Sequence, residues 1–349
     1  MDEIGDSRRS NGPENDENFN TYDVYDTIEF IPFDKCRYEN FKMRKKFSTS
    51  GHRVNSIDIS PLGDYMVSSI NKDKIAAYNI LVGSKSKDIP SQKYGCNQVI
   101  FAGESSRVLY TSTKGNDDIR YLSLEDKKYV RFFKGHKDEV LSLSMSPDGT
   151  NFLSSSRDGT VKLWDLRSDE CCKSDHYINK NPIVTYDPKG VIFAVSEERN
   201  TVKLFDSRNN TLPPFRLFGF HSYAGKINNI KFSPDGRKLI VSGNGTNFYT
   251  IDTFSGERVA FEGIKNPNKR KFGVDYSPCG KYIIAGSDCG ELIYYNATTG
   301  SIIKKFSSTH DSFVSNVAFN KKYLMLVSGG RNLIWWTPDY DDEVFGGFD

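Results

Sequence analysis

The stretch Gly135–Arg167, GHKDEVLSLSMSPDGTNFLSSSRDGTVKLWDLR, spells out one structural unit in full. After Gly135-His136 comes an apolar run at alternate or near-alternate positions, Val140, Leu141, Leu143 and Met145, as a half-buried strand requires. Pro147-Asp148-Gly149 supplies a turn and Phe152–Ser155 a second strand. Asp158-Gly159 then makes a tight turn, and Val161–Trp164 is a third strand ending at Asp165. Such a unit cannot bury its faces alone and needs stacked neighbours.

The chain supplies them. A Ser-Pro or Asp-Pro step marks the first hairpin turn of each unit, at Pro61, Pro147, Pro188, Pro234 and Pro278, with Asn320 in the same slot later. From Pro61 to Pro147 is 86 residues, two units of 43, and the next steps are 41, 46, 44 and 42. A period of ~40–45 residues with several short strands, opened by Gly-His and closed by Trp-Asp, is that of a WD40 repeat, one four-stranded blade of a β-propeller. Helical ankyrin and tetratricopeptide units are shorter, at ~33–34 residues. Seven units are countable, with inner strands in 52–80, 96–124, 135–167, 182–206, 221–252, 272–296 and 310–336. Outermost strands lie between them, for example Tyr129–Lys134, Phe215–Phe218 and Ile302–Phe306. After Trp336 the chain turns acidic, so the seventh unit lacks its outer strand, while Phe41–Phe47 precedes the first unit without a partner. Joining the two closes the ring and removes open sheet edges. The predicted fold is all-β: a seven-bladed WD40 propeller over 41–337, closed by an N-terminal strand completing the last blade. An acidic, disordered leader (1–40) precedes it and an acidic tail (338–349) follows.

Composition narrows the class. Tyr (19) and Phe (24) are abundant, which favours strands. No apolar run approaches the ~20 residues of a membrane helix, and the opening MDEIGDSRRS reads as no secretory signal. The six Cys form no CxxC pair and no zinc spacing, so they read as reduced thiols of a cytosolic or nuclear protein. Net charge is +2, but residues 1–35 hold ten acids against three bases, and residues 337–349 five acids and no base. The body between them carries 44 bases against 30 acids, a net +14. A body of that sign attracts phosphate-rich or acidic partners, unless the charge serves solubility alone.

His136, Asp158, a strand hydroxyl (Ser154 or Ser156) and Trp164 are expected to form a structural hydrogen-bonded chain, because buried polar groups need partners. His52, His221 and His310 recur at unit starts, which again reads as architecture; none has a metal-ligand spacing. Cys171-Cys172 fall in the expected outer strand after unit three. No phosphate-cradling loop, G-x-S-x-G or H-E-x-x-H occurs, so neither an enzyme nor a cofactor is expected. At the turn preceding the third strand, Lys72, Arg157, Arg199 and Arg331 hold like positions in units one, three, four and seven. They form a candidate rim for a phosphorylated peptide, against the plainer reading that exposed turns are simply charged. The basic run Lys265–Lys271, KNPNKRK, reads as a nuclear-import signal or a phosphate contact.

Beyond generic repeats, Lys93-Tyr94-Gly95-Cys96 followed by YTSTKGNDDIRYLSLEDKKYVRFFKGH (110–136) resembles the small WD-repeat subunit of the COMPASS histone methyltransferase. The ending FNKKYLMLVSGGRNLIWWTPDYDD extends the likeness. It covers about 41–342. The resemblance implies a non-enzymatic nuclear subunit that partners the methyltransferase complex and links it to the phosphorylated C-terminal repeats of RNA polymerase II. It also implies sharing with type-1 phosphatase complexes and, in fungi, the mRNA cleavage and polyadenylation factor; direct nucleic-acid binding stays open. The acidic leader departs from the family pattern. A rival reading is a substrate receptor of a cullin-type ubiquitin ligase, docking through the W-D-x-R form of Trp164-Asp165-Leu166-Arg167, echoed at Phe205-Asp206-Ser207-Arg208.

Overall fold

The computed structural model describes residues 40–168, 171–176, 181–197, 200–208, 213–220, 225–307 and 310–339. Among them the chain forms seven four-stranded antiparallel sheets. Blade one is Val54–Ile59, Tyr65–Ile70, Lys74–Asn79 and Ser84–Pro90, from inner to outer strand. Blade two is Val99–Phe101, Arg107–Thr111, Ile119–Ser123 and Tyr129–Phe133; blade three is Val140–Met145, Asn151–Ser156, Thr160–Asp165 and Cys171–His176. Blade four is Ile183–Tyr186, Ile192–Glu197, Thr201–Asp206 and Arg216–Gly219; blade five is Ile227–Phe232, Lys238–Gly243, Phe248–Asp252 and Arg258–Phe261. Blade six is Val274–Tyr276, Tyr282–Gly286, Leu292–Asn296 and Ile302–Phe306. Blade seven takes Asn316–Phe319, Leu326–Gly329 and Asn332–Pro338 from the C-terminal end and Phe41–Ser48 from the N-terminal end. The predicted closure is therefore present: Phe41 lies opposite Pro338 and Ser48 opposite Asn332. Phe47 locks it, with its ring centroid 4.9 Å from those of both Tyr78 and Trp335.

Middle strands pack on both faces and are buried almost throughout, as in Tyr65–Ile70, whereas the outer strand Ile302–Phe306 is largely exposed. That explains why the middle strands read as continuous apolar or small-residue runs and the outer ones as polar. Seven apolar clusters each join two consecutive blades, so every blade depends on both its neighbours. Inner strands are tied side by side. Ser56 and Asp58 accept from the Val99 and Phe101 amides, at 2.9 and 2.7 Å. Ser144 accepts from Tyr186 N–H at 2.9 Å, and Asp275 from Phe319 N–H at 3.0 Å. Those in-step pairings make the inner strands run the same way around the axis. Because each sheet is antiparallel, the loops entering inner strands and the turns before third strands emerge on one face. The Ser-Pro turns emerge on the other. No helix among the described residues is long and apolar enough to cross a membrane.

Candidate functional site

The face carrying the entry loops holds most of the residues singled out from the sequence. In blade three, Trp164 Nε1–H donates to Ser154 Oγ at 2.8 Å, and Ser154 Oγ lies 2.6 Å from His136 Nε2. His136 Nδ1 is 3.1 Å from Asp158, whose carboxylate also accepts from Lys137 N–H and Thr160 N–H, each at 2.8 Å. These bonds outweigh its burial and hold the Asp158 carboxyl down at about 2, while burial lowers His136 despite the adjacent anion. Ser156 is employed elsewhere, donating to Asp138 O at 2.7 Å. The chain pins the entry loop to the middle strands.

Other histidines diverge. In blade seven, His310 Nε2 is 2.7 Å from Ser328 Oγ, which accepts from Trp336 Nε1–H at 2.8 Å. The turn there is shorter, no aspartate follows, and buried His310 Nδ1 has no partner. His52 corrects the sequence reading: it is exposed, because blade one has Tyr78 where blade three has Trp164. His221 lies outside the described residues. Among the described residues no group of three His, Cys, Asp or Glu could hold a metal ion.

The proposed cationic rim is uneven. Lys72 occupies a tight Asn71-Lys72 turn with φ of +53° and +60°, the pair of positive values a type I′ turn demands. Its ammonium reaches Glu139 at 3.4 Å, and Arg157 reaches the same carboxylate at 2.8 Å. Asn97 donates to Glu139 at 3.2 Å. Two of the four cations thus converge on one anion. Around them the surface is acidic: burial, then Asp138, Glu139, Asp118 and Asp158, raise the Asp117 carboxyl. Arg331 is exposed, and Arg199 lies outside the described residues.

A second cationic sector, to which the basic run 265–271 contributes and for which Arg53 and Phe313 gave no sequence signal, lies across the same face. The Arg53 and Arg270 guanidiniums sit 5.3 and 4.9 Å from the centroid of one ring, Phe313. These residues come from the loops entering blades one, six and seven, so only the closed ring brings them together.

The distinctive stretch of blade two also resolves into contacts. Arg120, only 2% exposed, lies 3.5 Å from the Tyr94 ring, with Tyr129 and Phe132 beside it. Its Nε donates to Ser112 Oγ at 2.8 Å, and Nη2 to Asn116 Oδ1 at 3.0 Å. The guanidinium is thus held by rings and neutral acceptors. The signal was an arginine inside an otherwise apolar strand, Ile119–Ser123. On the opposite face, Arg167 folds back on Asp165 (2.7 Å) and Arg208 on Asp206 (2.7 Å), which explains the W-D-x-R spelling as a strand-end clamp.

The model for "WD domain, G-beta repeat" matches residues 43–76 and 127–165. WD repeat-containing protein 82 of Drosophila melanogaster is 36% identical over 307 residues, 87% of this chain and 96% of that protein. Set1 complex component swd2 of Schizosaccharomyces pombe is 29% identical, over 82% of this chain and 86% of its own length. COMPASS component SWD2 of Saccharomyces cerevisiae is 28% identical, over 82% and 91%. Seven closed blades and this likeness along the whole ring establish that the chain belongs to the family of WD40 propellers that includes WD repeat-containing protein 82 and COMPASS component SWD2.

Proposed function

We propose that this protein is a non-catalytic, nuclear WD40 adaptor subunit of a Set1-type histone-lysine methyltransferase complex. The observation carrying the reading is the end-to-end likeness to relatives named as Set1 and COMPASS components. In this reading the propeller holds the methyltransferase assembly and engages the phosphorylated tail of RNA polymerase II through its entry-loop face. Shared membership in type-1 phosphatase and mRNA cleavage and polyadenylation complexes belongs to the same proposal. The body's net +14 favours a phosphorylated partner.

Mass spectrometry of what co-purifies from nuclear extract tests the assembly: methyltransferase subunits support it, and a cullin with its adaptor would replace it with the ligase reading. The self-clamped Arg167 and Arg208 speak for the first outcome. For the phosphopeptide rim, Arg157→Glu combined with Arg331→Glu weakens peptide binding at unchanged Tm. Glu139→Gln, which frees Lys72 and Arg157, strengthens it. Calorimetric affinities unmoved by both changes would remove that surface from the proposal.

A further inference from the structure

The basic run 265–271 is a built loop. Asn266 is buried and its amide donates to Asn244 O, Gly245 O and Arg270 O at 3.2, 2.9 and 2.8 Å, while its Oδ1 accepts Arg270 N–H at 2.9 Å. Asn268 closes the other side on Asp288 at 2.5 Å, and Lys265 pairs with Glu291 at 3.0 Å. Asn266 is buried while Lys265, Lys269 and Arg270 stay exposed, so the loop holds its cations out on the entry-loop face, with Lys271 half-buried three residues before the inner strand of blade six.

There the positive charge is undercompensated. Arg53 and Arg270 share the Phe313 ring, and Lys271 lies half-buried within electrostatic range of Arg53 and of Lys231 from the inner strand of blade five. Arg270 meets Asp288 only at 3.4 Å, and Lys231 meets Asp275 at 2.8 Å. Among the described residues no carboxylate pairs with Arg53 or Lys271. Burial, then Arg53 and Lys231, pull the Lys271 ammonium down to about 8. Burial and Arg270 lower Arg53 likewise. The supports are rigid: Phe313 is buried, and the next residue, Val314, donates its N–H to Ser287 O at 2.8 Å. A protein that fixes like charges together on a stiff frame tolerates the repulsion in the empty state and is relieved by an anion.

We infer that Arg53, Arg270 and Lys271, backed by Lys231 and Phe313, form a seat for a multiply charged phosphate ester on the entry-loop face, beside the starts of the inner strands. This seat is separate from the Lys72/Arg157 rim and does not depend on which assembly the chain joins. Two arginine forks beside a lysine suit phosphate oxygens, which accept bidentate and point-charge donors together. The ester can arrive as a free inositol polyphosphate or as a phosphoserine side chain.

The test uses thermal shift and calorimetry on the full chain at physiological salt, with inositol hexakisphosphate and a phosphoserine peptide as probes and sulfate at equal ionic strength as control. Wild type gains Tm with hexakisphosphate in a saturable way. Lys271→Met and Arg53→Gln each weaken that binding by about tenfold or more. Without ligand, Lys271→Met holds or raises Tm because it relieves repulsion, whereas a merely structural lysine would lower it. Arg157→Glu with Arg331→Glu leaves hexakisphosphate binding intact. If only the peptide binds, and Lys271→Met abolishes it, the seat stands with the peptide as its source. Hexakisphosphate binding that survives both seat variants places the anion elsewhere and overturns the inference. So does a failure of both probes to bind, or a peptide that binds where hexakisphosphate does not and is lost through the rim variants but not through Lys271→Met or Arg53→Gln.

Discussion

Replacing Ser154 with Ala isolates what the blade-three chain contributes. Its Oγ serves two buried neighbours at once: the Trp164 indole N–H at 2.8 Å and His136 Nε2 at 2.6 Å. Both rings are inside, and Ser154 is fully buried, so no water replaces the missing atom. Removing it strands one donor and one acceptor, each worth about 1–3 kcal/mol of uncompensated desolvation. The hydroxyl is small, so the cavity adds little, and the expected loss is about 2–4 kcal/mol. Ser156→Ala differs in kind: that hydroxyl, equally buried, donates to the Asp138 carbonyl and accepts the Asp158 N–H at 3.1 Å, so its loss of about 1–3 kcal/mol leaves the Trp164–Ser154–His136 bonds intact. Urea unfolding at pH 7, followed by tryptophan fluorescence, measures both. A Ser154→Ala loss below about 0.5 kcal/mol would refute the assigned chain.

Three further expectations use other features of the ring. His310 is held down at about 4 by burial and by Lys46, against the opposing pull of Asp311, and its ordinary value is 6.5. Below pH 6.5 the unfolded chain takes a proton that the folded chain refuses, so this group's stabilisation is complete above 6.5 and declines as pH falls towards 4. The decline amounts to about 3 kcal/mol, and His310→Gln should flatten it in unfolding curves taken across that window. Phe47→Ala removes the ring wedged between Tyr78 and Trp335; the expected cost is about 1–3 kcal/mol, with faster limited proteolysis of the N-terminal strand. Arg120→Lys keeps the charge but loses the planar stack on Tyr94 and the fork to Ser112 and Asn116, so Tm falls although net charge is unchanged. An unchanged Tm would show the ring contact to be incidental.

The sheet count and the closure were legible along the chain, because both depend on local chemistry. Ser-Pro turns recurring every 41–46 residues, alternating strands, and an unpartnered strand at each end leave few other ways to satisfy the backbone. The serine that joins His136 to Trp164 was narrowed only to Ser154 or Ser156. Both point to the same side of one strand, and register decided between them. Trp164 pairs with Phe152, so Ser154 is the nearer of the two serines on that face and Ser156 lies a further pleat away. His52 shows the limit of repeat logic, since a motif residue needs its partner in the same blade, and Tyr78 stands in the place of the indole.

Charge was the least legible quantity. Sequence alone determined the repeat, the number of blades, the strand that seals them, and the excess of positive charge in the body. Only the tertiary structure decided where that charge is free. It set Lys72 and Arg157 on Glu139, 67 and 18 residues away along the chain, and brought Arg53, Arg270 and Phe313 together across the closed ring. The physical reason is range. Turn propensity and strand alternation act between neighbours in sequence, while the field at a side chain is the sum over whatever the fold brings near it.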